Sequence, residues 1–460
     1  MTLPTSDLQI LEAGQTPPTG IKTPPRQPQW YDTFAYIADP DRFCRENLQK
    51  YGPIFKTSVF GGTTILVGSA TANQMVFNGD LKYTEISLPP TTMDMFGEYS
   101  LFQRRDLHRQ RKSALSHGLT GSILGEYLPR IDRTVCNRLK NWKNKRKIAL
   151  YPEVEAICFD ILVPLLLGID FNNTDLTGLP ISSQTDLKQL YETFFAGFYG
   201  LIKWKSPLTA YGRGVAARAK LIELMRQIIA KRRSQEANID PRKDFLAMML
   251  ASLQENPEGI FSDRLIENQC LLQLWASHYE ISGLVCSVIY QLGRNPQYIE
   301  NLQKQEIADL NLLSLESLKQ MNFLEAVIKE TLRTLPPSST ANRKLTKSVI
   351  LDGILYQKDW VIIAEPRIAH NLPEHFQSPE KFKPDRFLSD SKEGKLYEFI
   401  PFGGGVHACL GAQMAMVITK VFISRFLASF NFNLTGEAQF VNFPLKKIKS
   451  EYQIFIEDRF

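Results

Sequence analysis

At 460 residues, 43% of them apolar, the chain can fill one large domain or two or three average ones with a sizeable core. Its net charge is only +6, and 54 Lys and Arg are scattered among 48 Asp and Glu, which argues against a nucleic-acid binder. The six cysteines include no Cys-x-x-Cys pair, which argues against a zinc site or a disulfide framework and points to a reducing compartment.

Residues 1–28 are polar and proline-rich (Pro17-Pro18, Pro24-Pro25, Pro28) and read as an extended lead segment, loosely packed on the surface. No charged stretch followed by an apolar one opens the chain, and it contains no uninterrupted run of about 18 apolar residues. A soluble, cytoplasmic protein is the expectation. From residue 29 to 460 the chain reads as one body. Ile54–Phe60 and Thr63–Val67 flank Gly61-Gly62 and predict a β-hairpin. Helical patterning dominates from about residue 105 to 335. Short extended pieces return at Val349–Leu351, Ile354–Tyr356 and Trp360–Ala364. No repeat of 20–50 residues is present. The fold class is therefore mainly α with a small β part.

Four places along the chain carry chemistry. Tyr191–Trp204 is dense in aromatics, and Ile86–Phe96 is an apolar loop sequence; apolar walls with a few polar groups suit a hydrophobic small molecule. Individual aromatics there are more often core than pocket. In Leu324–Arg333, Glu330 and Arg333 stand three apart and share a helix face. Finally, Phe402-Gly-Gly-Gly-Val-His-Ala-Cys409-Leu-Gly411 sets one cysteine in a glycine-rich loop before a helix-compatible run from Ala412. Glycines let the backbone turn close to the sulfur, and a helix N-terminus favours a thiolate. The bland alternatives are an inert buried cysteine and a phosphate loop; the latter lacks a preceding strand and a following Lys-Ser/Thr.

Phe402, Gly405, His407, Cys409 and Gly411 fill the pattern Phe-x-x-Gly-x-(Arg/His)-x-Cys-x-Gly, which resembles the haem-binding loop of the cytochromes P450. Lys381-Phe-Lys-Pro-Asp-Arg386-Phe387 follows Glu330 and Arg333 in the order of that family's Glu-Arg-Arg triad. The resemblance runs from about Trp30 to the C-terminus, and its details are similar to cyanobacterial members related to retinoic-acid hydroxylases. It implies the cytochrome P450 fold and haem b, with Cys409 as metal ligand in a loop that includes Phe402, Gly403 and Gly411. A thiolate on haem iron favours O–O cleavage. Glu330, Arg333 and Arg386 would brace that loop. Arg343, His407 and His108, with Arg111 or Lys112 nearby, would hold the propionates. Met93, Phe96, Phe195, Phe198, Trp275, Ser339 and Thr340 would meet the substrate. A separate ferredoxin and ferredoxin reductase would serve a monomeric monooxygenase.

The departure lies in the central helix. The family carries an acid–alcohol pair there that guides protons during oxygen activation. This chain reads Leu274-Trp-Ala276-Ser277-His278-Tyr279-Glu280-Ile281. Without gaps, Tyr279 replaces the acid and Glu280 the alcohol; shifted by one, Glu280 keeps the acid position and Ile281 replaces the alcohol. Glu280 lies one turn after Ala276, so both can face the haem, with Ser277 and His278 as further candidates. The broken pair keeps alternatives open: oxidative coupling of phenols or indoles, a peroxide-using or isomerising enzyme, or a non-catalytic haem sensor or carrier.

Overall fold

The computed structural model describes residues 8–97, 107–171, 177–200, 202–235, 238–307, 313–338, 341–389 and 391–459. It is mainly helical, with a smaller strand content, as the sequence patterning implies. The chain divides into two compact units. The first comprises residues 1–87, 321–409 and 438–449; the second comprises 88–320, 410–437 and 450–460.

In the first unit the apolar stretches form a five-stranded sheet. Its order is Ile54–Thr57, Thr64–Val67, Val361–Ala364, Ala341–Leu345, Thr84–Ile86, and only the second and third strands are parallel. The Gly61-Gly62 turn is present, with Phe60, Gly61 and Gly62 all at positive φ. The first strand ends at Thr57, earlier than its apolar run. There the Thr57 hydroxyl bonds the Thr64 carbonyl and the Val59 amide, and the Asp32 carboxylate takes the Ser58 amide at 2.9 Å. Local side-chain partners of this kind compete with a ladder. Val349–Leu351 and Ile354–Tyr356 form a second hairpin about Asp352-Gly353, both at positive φ.

From residue 8 onward the lead segment is held down rather than loose. Gln9–Ile10 pairs with Val349–Leu351, Leu11 is buried, and the Lys22 carbonyl accepts the Leu355 amide at 2.8 Å. Arg26 bonds the Asp32 carboxylate and the Lys56 carbonyl. Prolines deny the segment a ladder of its own, but the existing sheet edge supplies partners that composition cannot reveal.

One carboxylate organises the interior of this unit. Glu330 sits on the helix Asn322–Thr334 and takes Arg333 in a fork, at 2.7 and 2.8 Å. Arg386, from the 3₁₀ turn Pro384–Phe387, reaches the same carboxylate at 3.2 Å, and the Lys383 amide adds a bond of 2.8 Å. Arg386 also pairs with Glu393, so two carboxylates balance two guanidinium groups. Glu330, Arg333 and Arg386 are all at most 1% exposed. Arg333 extends the network: its Nη1 donates to the His370 carbonyl, and its own carbonyl accepts from His370 Nδ1 at 3.2 Å. His370 Nε2 accepts the Ile400 amide at 3.0 Å, which fixes the proton on Nδ1. Burial and the Arg333 charge push the His370 pKa down to about 3.

In the second unit the 32-residue helix Asp263–Arg294 runs through the centre, packed by Leu150–Leu167, Ala210–Gln235, Phe245–Glu255 and Ala412–Ser429. It is capped by the Ser262 hydroxyl, which accepts the Leu265 amide. Most of its residues are buried, with an apolar run from Ile281 to Leu292 broken by a few polar side chains. The helix Gln184–Phe198 approaches Ala210–Gln235 where Gly197 meets Gly214; a Cβ on Gly197 would stand 2.8 Å from the Gly214 Cα. Among the described residues Ala412–Ser429 is the one helix long and apolar enough to cross a membrane by length and composition. More than half of it is buried, and its Lys420 and Arg425 are tied to the Leu318 carbonyl and the Asp132 carboxylate, which reads as a core helix.

Two outcomes follow from the Glu330 network. Glu330→Ala strips the shared acceptor from two buried cations and should destabilise the protein by about 3–5 kcal/mol, read by chemical or thermal unfolding. His370 binds fewer protons folded than unfolded, so its contribution is full above its unfolded pKa and is lost as pH falls. Acid titration should show stability declining between about pH 6.5 and about pH 3, and His370→Asn should flatten that limb.

Candidate active site

The cysteine loop belongs to the first unit. Gly403 and Gly405 both adopt positive φ. A Cβ on Gly405 would fall 2.2 Å from the Phe77 carbonyl oxygen, and one on Gly404 would fall 2.7 Å from the Phe77 ring. The glycine run is therefore demanded by its seat against the helix Ala70–Asn78. The loop is pinned at its base, where the Gly403 amide donates to the Ile400 carbonyl at 3.1 Å, and closed by the Cys409 amide, which donates to the Phe402 carbonyl at 2.8 Å. Ile400 is the residue held by His370, so the buried Glu330 network reaches this loop through one imidazole. Sequence reasoning missed His370; nothing local marks a lone histidine as a brace. Cys409 is exposed, whereas the other five cysteines are buried or half-buried. Burial pushes Cys44 and Cys158 well above the ordinary thiol range. Cys409 is thus the thiol placed to meet a ligand. Gly411 caps the helix Ala412–Ser429, and a Cβ there would meet nothing within 4 Å.

In the same unit Arg343, on the strand Ala341–Leu345, is 5% exposed. Its Nη1 donates to the neighbouring Asn342 carbonyl at 2.9 Å, and its buried Nε has no partner. Burial lowers its pKa to about 10, against the opposing pull of Asp80. A buried guanidinium short of acceptors seeks an anion. His407 places Nε2 3.4 Å from the Asp80 carboxylate. These residues, with the exposed thiol beside them in sequence, fit an iron porphyrin that carries carboxylates. In the second unit His108 opens the helix His108–Ser116 and is buried, with Arg111 buried and Lys112 half-buried one turn on.

The central helix separates its four candidates. Ala276 is exposed and Glu280 half-buried, one turn apart, in a helix whose other faces are largely enclosed. Glu280 makes no hydrogen bond or ion pair among the described residues. Although the residue as a whole keeps some exposure, enclosure of its carboxyl pushes the pKa up to about 8. It is mostly protonated at neutral pH. The Ser277 hydroxyl donates back to the Gln273 carbonyl at 2.7 Å. His278 is fully buried, its Nε2 3.1 Å from the Glu155 carbonyl and its ring against Phe159. Tyr279 is buried against Phe195, ring centroids 4.2 Å apart. The helix thus brings Ala276 and Glu280 together and turns His278 and Tyr279 into its neighbours.

Phe198 stacks on Trp275 at 4.7 Å, and Phe96 sits edge-on to both at 5.3 and 5.2 Å. Phe96 and Phe198 are at most 2% exposed, so they act as the packed backing of this wall. Met93 and Phe195 are half-buried, and the buried indole N–H of Trp275 has no hydrogen-bond partner. Ser339 and Thr340 lie outside the described residues. The Tyr191 hydroxyl, also fully buried, has no hydrogen-bond partner either.

The comparisons agree with this arrangement. The family model for cytochrome P450 matches residues 23–453. Cytochrome P450 120 of Synechocystis sp. is 29% identical over 431 residues, 91% of this chain and 93% of that protein. Taxane 10-beta-hydroxylase of Taxus cuspidata is 26% identical, covering 85% of this chain and 79% of its own. A solved structure described as retinoic acid bound cyanobacterial CYP120A1 superposes with a TM-score of 0.84 at 28% identity, covering 95% of this chain and all of that one. A glycine loop presenting an exposed thiol, braced by a buried Glu-Arg-Arg network, and a family match across nearly the whole length place this chain in the cytochrome P450 family.

Proposed function

We propose that this chain is a soluble, cytoplasmic, monomeric haem b monooxygenase that oxidises a hydrophobic, aromatic small molecule, with electrons from a separate ferredoxin and its reductase. Family membership and hydroxylase relatives make it a haem-iron monooxygenase enzyme, which weighs against a sensor or carrier. Bound haem supplies dioxygen activation. The single observation that carries the finer reading is the exposed Cys409 thiol in a loop whose base is tied to a buried ion network. Cys409 would hold the haem iron through its thiolate, in a loop that includes Phe402, Gly403 and Gly411. Arg343 and His407, with His108 and Lys112, take the propionates; the partnerless Nε of Arg343 supports this. Phe195 and Trp275, backed by the sealed rings of Phe96 and Phe198, would meet substrate, with Met93, Ser339 and Thr340 as further candidates. Glu280 holds a proton at its carboxyl at neutral pH and offers it beside Ala276.

A second reading is favoured by the missing alcohol. Tyr279 is packed away and Ile281 carries no hydroxyl, so the usual relay is absent under either register. Oxidative coupling of phenols or indoles, or peroxide-driven chemistry, depends less on that relay.

Two outcomes test these readings. Wild-type protein should bind haem and give the red-shifted ferrous–carbon monoxide Soret band of a thiolate complex. Cys409→Ser and Cys409→Ala should lose that band while circular dichroism stays unchanged; a wild-type protein without it would overturn the haem-thiolate assignment. With a substrate found by spectral titration, turnover under labelled dioxygen should place label in the product. An unlabelled product two hydrogens lighter would instead establish coupling or desaturation. Under hydroxylation, Glu280→Gln should lower product formation about 10²-fold or more and raise peroxide release, with haem content kept.

A further inference from the structure

Glu280 is a carboxyl without a protein counter-ion in an aromatic setting. It projects on the accessible side of the helix Asp263–Arg294 and makes no hydrogen bond or ion pair among the described residues. Tyr191, on the helix Gln184–Phe198, and Tyr199, just past its end, both lie within electrostatic reach of Glu280. Phe195 from the same helix covers the neighbouring Tyr279 ring.

We propose that Glu280, one turn from the exposed Ala276, forms a subsite for the cationic nitrogen of an amine- or ammonium-bearing substrate. The inference rests on the reading of this chain as a small-molecule oxidase and specifies its substrate class. The charged groups on the packed elements are already committed. Glu155, on Leu150–Leu167, holds Lys188 at 2.9 Å, and Glu192 stands 4.0 Å from the same lysine. The remaining titratable neighbours include the phenols Tyr151, Tyr191, Tyr199 and Tyr279, all pushed up by burial, and His278, whose Nε2 lies 3.1 Å from the Glu155 carbonyl. No protein cation lowers the Glu280 carboxyl, whose pKa is raised to about 8 by burial alone. A cationic ligand is the partner that would draw this carboxyl into its charged form. A cation there gains from the carboxylate. A neutral ligand or an anion offers no such gain and leaves the carboxyl in its protonated form. A protonated amine would also keep an acidic N–H at this position, so anchoring the substrate and supplying a proton become one arrangement.

The test uses the holoenzyme and three matched probes, with binding read by equilibrium dialysis. Phenethyltrimethylammonium carries a fixed charge and no lone pair for iron. Its carbon isostere 3,3-dimethylbutylbenzene is neutral, and 3-phenylpropionate is the anion. The ammonium should bind about tenfold or more tighter than either. Its charge does not titrate, so its affinity should follow Glu280. It should fall by up to about tenfold per pH unit below about 8 and level off above. Glu280→Gln should erase the preference and flatten the profile, leaving the isostere unaffected, and Glu280→Asp should restore part of it. Equal binding of the three probes, or a preference that survives Glu280→Gln, overturns the inference. Binding is read without turnover. Loss of the preference in a protein that keeps its thiolate spectrum therefore removes this inference alone, while loss of the spectrum in wild type removes the oxidase reading.

Discussion

The first unit depends on one carboxylate shared by two guanidinium groups. Glu330 accepts four hydrogen-bonding contacts, two from Arg333, one from Arg386 and one from the Lys383 amide, with both arginines sealed from water. Such a cluster is weak as a source of stability, because desolvation offsets much of its Coulomb gain. Its value is positional. Ion pairs with fork geometry tolerate little displacement, and further N–H groups of the two arginines donate to the His370, Lys381 and Gln377 carbonyls. The network therefore fixes backbone. His370 converts that fixed backbone into a fixed loop base at Ile400, two bonds away from the Cys409 turn. A neutral imidazole suits this role, since it donates from one nitrogen and accepts at the other; protonation would remove the acceptor.

The central helix uses the opposite strategy. Where Glu330 is saturated with donors, Glu280 is left without any. Desolvation then dominates its titration and keeps it neutral at ordinary pH. A structural role would have been served by any apolar residue at no electrostatic cost. A carboxyl without a partner among the described residues, on the accessible side of a mostly enclosed helix, is the kind of perturbed group that marks candidate functional sites.

The sequence made local demands legible and hid non-local ones. The cysteine loop could be read because positive φ and close approach to Phe77 restrict Gly403, Gly404 and Gly405 to glycine. The Glu330–Arg333 pair follows from helical spacing, but Arg386 is 53 residues beyond Arg333 and enters only through family resemblance. His370 stood unmarked, because its two bonds go to backbone atoms of Arg333 and Ile400, which no side-chain pattern encodes. The lead segment was misjudged for a related reason: a polar, proline-rich stretch cannot pair with itself, yet Gln9–Ile10 pairs with a strand more than three hundred residues away. The aromatic segment was identified as a wall, but which rings back it and which face a ligand required three dimensions. Phe96 and Phe198 are sealed, whereas Phe195 and Trp275 keep some exposure.

The two registers of the central motif are separated by helical geometry rather than by alignment. Residues four apart share a face, so the accessible Ala276 selects Glu280 as its partner. Tyr279 lies about a quarter of a turn away, and its ring is consumed by Phe195. Treating Tyr279 as the acid's replacement would place a phenol in the core where no proton can be exchanged with a ligand; burial drives its pKa far above the ordinary phenol range. Treating Glu280 as the retained acid leaves Ile281 in the alcohol position, and Ile281 is itself buried. The side chains therefore present an acid with no adjacent alcohol. No hydroxyl stands next to Glu280 on the helix to take the alcohol's place, whichever register is chosen.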